Sequence, residues 1–286
     1  MTFGVILTNR KTFLSAFGLP VHRGRCYIAM RYYGGADVFP VTEPILPLGA
    51  AESALQAYLL GSVEFGAVLD LQRLLAYQIA GDRGQAAVIL CEHPPLITIG
   101  RQGSHNHVHL EREELQVRGW RVRWVNRGGG TLLHLPGQLA IYPIVPLDRL
   151  GLGIDGYVAR LESVLFAVLD DFSVHPDASN GLSGIRVCGR LIADLGVAVR
   201  DWVTYYGAVL NVNPDLEPYR RVSCGVPANG AMTSLERERR GPLRAALVRE
   251  RFLEHFAARF RFDRTSLFFH HPSLPHTAPA NAVSVR

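Results

Sequence analysis

At 286 residues the chain is long enough for one large or two small domains, each with its own hydrophobic core. With 48% hydrophobic and 19% charged residues it reads as globular rather than disordered, and no apolar run approaches the roughly 18 residues of a membrane span. The formal net charge of +5 is dispersed, and its nearest approach to a cluster (Arg237, Arg239, Arg240) alternates with Glu236 and Glu238. That pattern fits a mildly basic face for an acidic protein partner better than a nucleic-acid groove.

Residues 1–50 lack sustained periodicity and scatter Gly and Pro, so they read as an N-terminal extension, partly disordered. They show no apolar core with a small-residue cleavage site, hence no secretory signal, and Met30 offers an alternative start. The four cysteines (Cys26, Cys91, Cys188, Cys224) form no CxxC pair, which fits reduced thiols and a cytoplasmic location.

Regular patterning begins near Leu55. Ser62 is placed to cap a helix that carries Phe65, Val68, Leu69, Leu75 and Ile79 at helical spacing and ends at Gly81. Ala87–Cys91 and Leu96–Ile99 read as strands around the Pro94-Pro95 turn, and Arg121–Val125 and Leu139–Val145 as two more. Val158, Leu161, Leu165, Val168, Leu169 and Phe172 form a second amphipathic helix. Strands follow at Ile185–Val187, Leu191–Val199 and Val203–Val212, then a capping box at Thr233-x-x-Glu236. A last helix starts at Pro242, with Leu243, Leu247, Phe252, Phe256 and Phe260 on one side. Residues 51–264 thus make one mixed α/β domain, and the proline-containing segment 265–286 reads as a surface tail.

Chemistry concentrates in a few places. Arg127-Gly128-Gly129-Gly130-Thr131, followed by His134, lies between strands, where bare glycine backbone lets a ligand approach the peptide amides. Cys224, in a loop beside Gly225, reads as an accessible thiol and candidate nucleophile, whereas Cys26, Cys91 and Cys188 read as buried structural thiols. His93 sits in a turn. His105, His107 and His109 alternate as on the solvated face of a strand, and no metal site is expected there.

Taken in order, Glu92-His93-Pro94-Pro95, Thr98-Ile99-Gly100-Arg101, Arg127-Gly128-Gly129 and His134-Leu135-Pro136-Gly137-Gln138 resemble the lipoyl(octanoyl) transferase family, lipoate biosynthesis protein B. Ile192-Ala193-Asp194-Leu195-Gly196, Val203-Thr204, Leu210-Asn211-Val212, Cys224-Gly225 and Thr233-Ser234-Leu235 extend the resemblance from about Leu55 to Arg261. It implies the fold of biotin and lipoate protein ligases, of the class II aminoacyl-tRNA synthetase and biotin synthetase type: a mixed sheet flanked by helices. It also implies transfer of an octanoyl group from octanoyl-acyl carrier protein to a lysine of a lipoyl domain. The acceptors would be 2-oxoacid dehydrogenase complexes or the glycine cleavage H protein, with no cofactor, metal, membrane or nucleic acid involved. Cys224 would carry the acyl group as a thioester. Residues from Arg127 to His134, Asp194, Leu195 and Gly196, and Gly207, Ala208 and Val209 would line the acyl pocket.

Four positions depart from the family pattern. Leu191 stands where the family has its cysteine-activating lysine, and Lys11 is the only lysine in the chain. Tyr206 replaces a histidine, Leu132 a threonine, and Leu135 a glycine at the expected acyl entrance. Arg190 adjoins Leu191, but neighbouring side chains in a strand face opposite ways. Two alternatives to a working transferase follow: an acyl- or lipoyl-domain-binding paralogue without turnover, and an ATP-dependent lipoate ligase.

Overall fold

A computed structural model describes residues 53–178, 184–225 and 231–274, together with the backbone of residues 5–8. Apart from that short segment, the expected extension over residues 1–50, with Cys26 and Met30, lies outside the described residues. The elements are β1 (Val5–Thr8), β2 (Ala54–Ser62), α1 (Phe65–Gly81), β3 (Gln85–Glu92), β4 (Leu96–Ile99), α2 (Arg112–Val117), β5 (Arg121–Trp124) and β6 (Thr131–His134). There follow β7 (Gln138–Ile144), α3 (Ile154–Asp171), β8 (Ile185–Val187), β9 (Arg190–Arg200), β10 (Val203–Asn211), α4 (Leu235–Arg239), α5 (Ala245–Phe260) and β11 (Arg264–Phe268).

An eight-stranded sheet runs β1-β11-β2-β3-β7-β10-β9-β8, parallel at β11/β2 and β2/β3 and antiparallel at its other pairings. A smaller sheet, β5-β4-β6, stands beside it. This is the mixed sheet with flanking helices expected from the sequence.

The central strands are apolar on both faces because helices cover both. On β3, Ala86, Val88 and Leu90 enter the larger core with α3 and α5, while Ala87, Ile89 and Cys91 face the core under α1. Strand β7 alternates likewise, Leu139 and Ile141 to one side and Ala140, Tyr142 and Ile144 to the other. Helix α5 contributes Val248, Phe252, Phe256 and Phe260 at a four-residue spacing, and Phe256 packs its ring on those of Phe252, Phe260 and Phe262.

Several expectations are corrected. Segment 54–62 is a core strand, and α1 is preceded by Glu64, with no side-chain cap from Ser62. The two strands flanking Pro94-Pro95 belong to different sheets. His105–His107 is one turn of 3-10 helix rather than a strand, so the three imidazoles share no strand face. The cap of α4 is Ser234, whose side chain accepts from the Arg237 amide, while Thr233 turns its hydroxyl to Glu238. Helix α5 begins at Ala245, not Pro242, and Leu247 is largely outside the core. Arg264–Phe268 does not run over the surface; it pairs with β2 as β11. Cys188 is exposed at the tip of the β8–β9 hairpin, where it and Gly189 both take positive φ and donate their amides to Asp177.

Phe256 is fully buried, so Phe256→Ala leaves a cavity worth about 3–5 kcal/mol of stability. Urea unfolding of the variant should show a lowered midpoint at unchanged slope.

Candidate active site

Three glycines explain one arginine. The loop between β5 and β6 turns the Arg127 guanidinium back into the protein, where only 6% of the residue is exposed. A Cβ on Gly100, Gly129 or Gly196 would lie 3.0–3.2 Å from Arg127 Nη1, and one on Gly196 or Gly100 would also strike the Gly128 carbonyl at 2.6 or 2.9 Å. The space the guanidinium needs is thus made by glycines from three separate segments. Nη1 donates to the Gly128 carbonyl at 3.0 Å and Nη2 to Thr98 Oγ1 at 2.9 Å. The Asp194 carboxylate stands 4.0 Å from Nη1, both side chains being almost fully buried.

Two buried histidines complete the polar floor. Thr98 Oγ1, which accepts from Arg127, also shares a hydrogen bond with His134 Nε2, 3.0 Å away. Burial first, then His93 and Arg127, holds the His134 pKa well below its usual value, so the ring is neutral. The Val63 carbonyl only accepts, so His93 Nδ1 carries the proton (2.7 Å) and Nε2 accepts from the Tyr142 hydroxyl (2.8 Å). Burial lowers the His93 pKa to about 4 against an opposing backbone hydrogen bond, and the Tyr142 hydroxyl stays protonated for the same reason.

Of these groups Arg127, Asp194, His134 and Tyr142 line a narrow pocket, where Phe65, Tyr206 and Val209 add apolar wall. Gly207 is needed at the back wall, since a Cβ there would lie 2.3 Å from the Ile141 carbonyl of β7.

Cys224 lies beside this pocket but not open to solvent. It is 2% exposed, in an apolar cluster shared with the pocket residues Leu132 and Val209, and Sγ accepts the Leu133 amide at 3.3 Å. The accessible thiol expected from the sequence is therefore corrected: the flanking Ser223 and Gly225 amides bond to the His107 and Thr131 carbonyls and draw the segment against the small sheet. Burial pushes the thiol pKa up to about 12, the Leu133 amide opposing and Asp194 adding to it. The sulfur is nonetheless adjacent to the arginine–glycine turn, because the Gly225 amide binds the Thr131 carbonyl at 3.1 Å.

The structure also places the departures. Leu191 is buried with Cδ2 2.9 Å from where a Cβ of Gly225 would lie, so an apolar side chain stands next to the cysteine segment. Arg190 does not replace the absent lysine: its guanidinium is held by Glu238 through two hydrogen bonds of 3.2 and 2.9 Å. Tyr206 and Leu132 line the pocket, whereas Leu135 packs in the cluster around Cys224 and does not narrow the pocket.

Of the expected pocket residues, Arg127, His134, Asp194, Gly196, Gly207, Ala208 and Val209 come together. Gly128, Gly129, Gly130, Thr131 and Leu195 do not line it. Gly129 makes room for Arg127, Leu195 faces the large core, and Thr131 ties the cysteine segment to the loop. The Gly128 amide, one of the backbone groups expected to be open to a ligand, is spent on the Val197 carbonyl at 2.9 Å. Sequence reasoning missed Phe65 and Tyr142. Tyr142 had a signal, since a hydroxyl inside an apolar strand needs a buried partner, here His93.

The remaining motif residues brace the site. Gln138 bonds the Leu135 amide, the Leu133 carbonyl and Asn211, and Asn211 holds the Thr233 carbonyl. Glu92 accepts the Gly137 amide and pairs with Arg249.

The lipoyl protein ligase A/B catalytic domain family matches residues 66–257 of this chain. An octanoyltransferase of Geobacter metallireducens is 40% identical over 170 residues, 59% of this chain and 76% of the relative. One of Geotalea uraniireducens is 36% identical over 193 residues, 67% and 86% of the two chains. Among solved structures, a bi-partite lipoate protein ligase from Thermoplasma acidophilum, described with its E2 lipoyl domain, superposes with a TM-score of 0.56 at 14% identity. That match covers 78% of this chain and 87% of the other, and it is a likeness of fold.

Two outcomes follow from the geometry. Gly196→Ala drives a methyl into the Gly128 carbonyl and Arg127, an overpacking that should cost about 1–3 kcal/mol in urea unfolding. His93 has a folded pKa near 4, below its unfolded value of about 6.5. The unfolded state therefore binds more protons in that window, and this contribution to stability, complete above about pH 6.5, is lost as pH falls toward 4. His93→Gln should flatten the slope of stability against pH there.

Proposed function

As a member of the lipoyl(octanoyl) transferase family, this chain works, we propose, as an octanoyltransferase of protein lipoylation. On this reading an octanoyl group passes from its carrier thioester to Cys224 and then to a lysine of a lipoyl domain. The supporting observation is the pocket that joins Arg127, His134 and an apolar wall to the cluster holding the cysteine. Exchange of one thioester for another is nearly isoenergetic, so no ATP is required. The donor would be octanoyl-acyl carrier protein, an acidic partner for a chain of net charge +5. The acceptors would be lipoyl domains of 2-oxoacid dehydrogenase complexes or the glycine cleavage H protein.

The thiol is the slow element of this reading. A cysteine with its pKa pushed up to about 12 holds almost no thiolate at neutral pH, and Leu191 supplies no cation to change that. The same burial favours a second reading, an acyl- or lipoyl-domain-binding protein without turnover.

Intact-mass measurement with octanoyl-acyl carrier protein separates the readings. The transferase gives a hydroxylamine-labile octanoyl adduct, absent in Cys224→Ala, that moves to a lipoyl domain; the binding protein gives no onward transfer. Adduct appearing only with ATP and free octanoate would mark a ligase instead. Leu191→Lys places an amine beside the cysteine segment, and each unit by which the thiol pKa then falls raises the thiolate fraction about tenfold. Stopped-time acylation at pH 7 should accelerate by about tenfold or more. A folded variant acylated no faster would show that the missing cation is not what limits the thiol.

A further inference from the structure

One residue of β10 departs from strand geometry, and it lines the pocket. Side chains alternate faces along a strand, and on β10 Ala208 and Leu210 belong to the large core while Val209 lies in the cluster around Cys224. Alternation would send Tyr206 to the large core with Ala208. Tyr206 instead takes a φ of +57°, a left-handed conformation that is costly for a bulky residue. Its ring thereby lies on the side of its neighbour Tyr205, the two centroids 5.0 Å apart, in an apolar cluster with Phe65 and Leu69 of α1.

Two contacts hold the ring there. The Tyr206 amide donates to Gln72 Oε1 on α1 at 2.7 Å, and the hydroxyl hydrogen-bonds to the backbone of Asn126, just before the glycine loop. Gln72 is fully buried, and its Nε2 has no hydrogen-bond partner among the described residues. An unpaired buried amide group is costly, so the oxygen of Gln72 justifies its place in the core by fixing this one turn of backbone.

The pocket has two apolar ends. Leu132 and Val209 belong to the cluster around Cys224, and Phe65 and Tyr206 to the other. A chain carried on the sulfur enters between Leu132 and Val209 and runs along β10 toward Phe65 and Tyr206. From Val209 back to Tyr206 is about 10 Å of strand at roughly 3.3 Å per residue, comparable to an extended octanoyl chain. We propose that Tyr206 is the end stop of the acyl pocket and sets the longest fatty chain the site accepts. This rests on the thioester reading above. A flexible side chain could fold aside for a longer substrate. A ring held by its own backbone, by Gln72 and by Asn126 cannot do so without breaking those contacts, so a chain that is too long leaves its carbonyl out of place at the sulfur.

The test uses the full chain and follows thioester formation on Cys224 by timed intact-mass measurement, with octanoyl-, decanoyl- and dodecanoyl-acyl carrier protein as donors. The wild type should be acylated at least about tenfold more slowly by the dodecanoyl than by the octanoyl donor. Tyr206→Gly removes the ring and suits the left-handed backbone, so the two rates should come within about threefold of each other. Tyr206→Phe keeps the ring and should keep the wild-type discrimination. Asparagine also tolerates that backbone, so Tyr206→Asn takes the place of the glycine variant if that one does not fold. Equal rates for the two donors in the wild type overturn the proposal and leave the thioester reading intact. So does a folded Tyr206→Gly or Tyr206→Asn that discriminates as before, whatever its absolute rate. A wild type that takes an acyl group from none of the donors overturns the thioester reading, and this proposal with it.

Discussion

The site depends on keeping one guanidinium inside the protein. Burying Arg127 requires that its charge and its N–H groups be met and that backbone give way around it. The Gly128 carbonyl, Thr98 and Asp194 meet the first need, and Gly100, Gly129 and Gly196 the second. Those residues come from β4 and the turn after it, the glycine loop and β9, so three distant motifs serve one side chain. Thr98 is also hydrogen-bonded to His134, which fixes a second polar group at the pocket.

Around that centre almost everything titratable is held neutral by burial. His93 and His134 are kept from protonation, and Tyr142 and Cys224 from ionisation. The pocket lining retains one cation and one anion, Arg127 and Asp194, close enough to compensate each other. Such a site presents little net charge to a fatty chain. It also leaves the thiol with only the weak cationic influence of Arg127 to favour its ionised form, since Leu191 is apolar and Arg190 is committed to Glu238.

Where local pattern and tertiary demand agreed, the sequence was readable. Helix α3 and strands β8 to β10 followed from periodicity, because each has faces of one character over its length. Strand β2 escaped notice because both of its faces carry buried residues and its residues do not alternate cleanly in polarity. Strand β6 was hidden in the motif that contains it, four buried residues read as a loop because three glycines precede them. Cys188 and Cys224 exchanged their expected environments. A thiol's burial is decided by what packs on it, and glycine beside it does not report that.

The residues themselves determined that a mixed α/β domain would form, that the arginine–glycine turn mattered, and that no lysine would stand beside the cysteine. These are properties of composition, order and local pattern. Tertiary structure alone decided that Asp194 faces the pocket, that Arg190 turns away to Glu238, and that the cysteine is enclosed. Each of these depends on which face of a strand meets which neighbour across long separations in sequence, and local spacing carries no record of that.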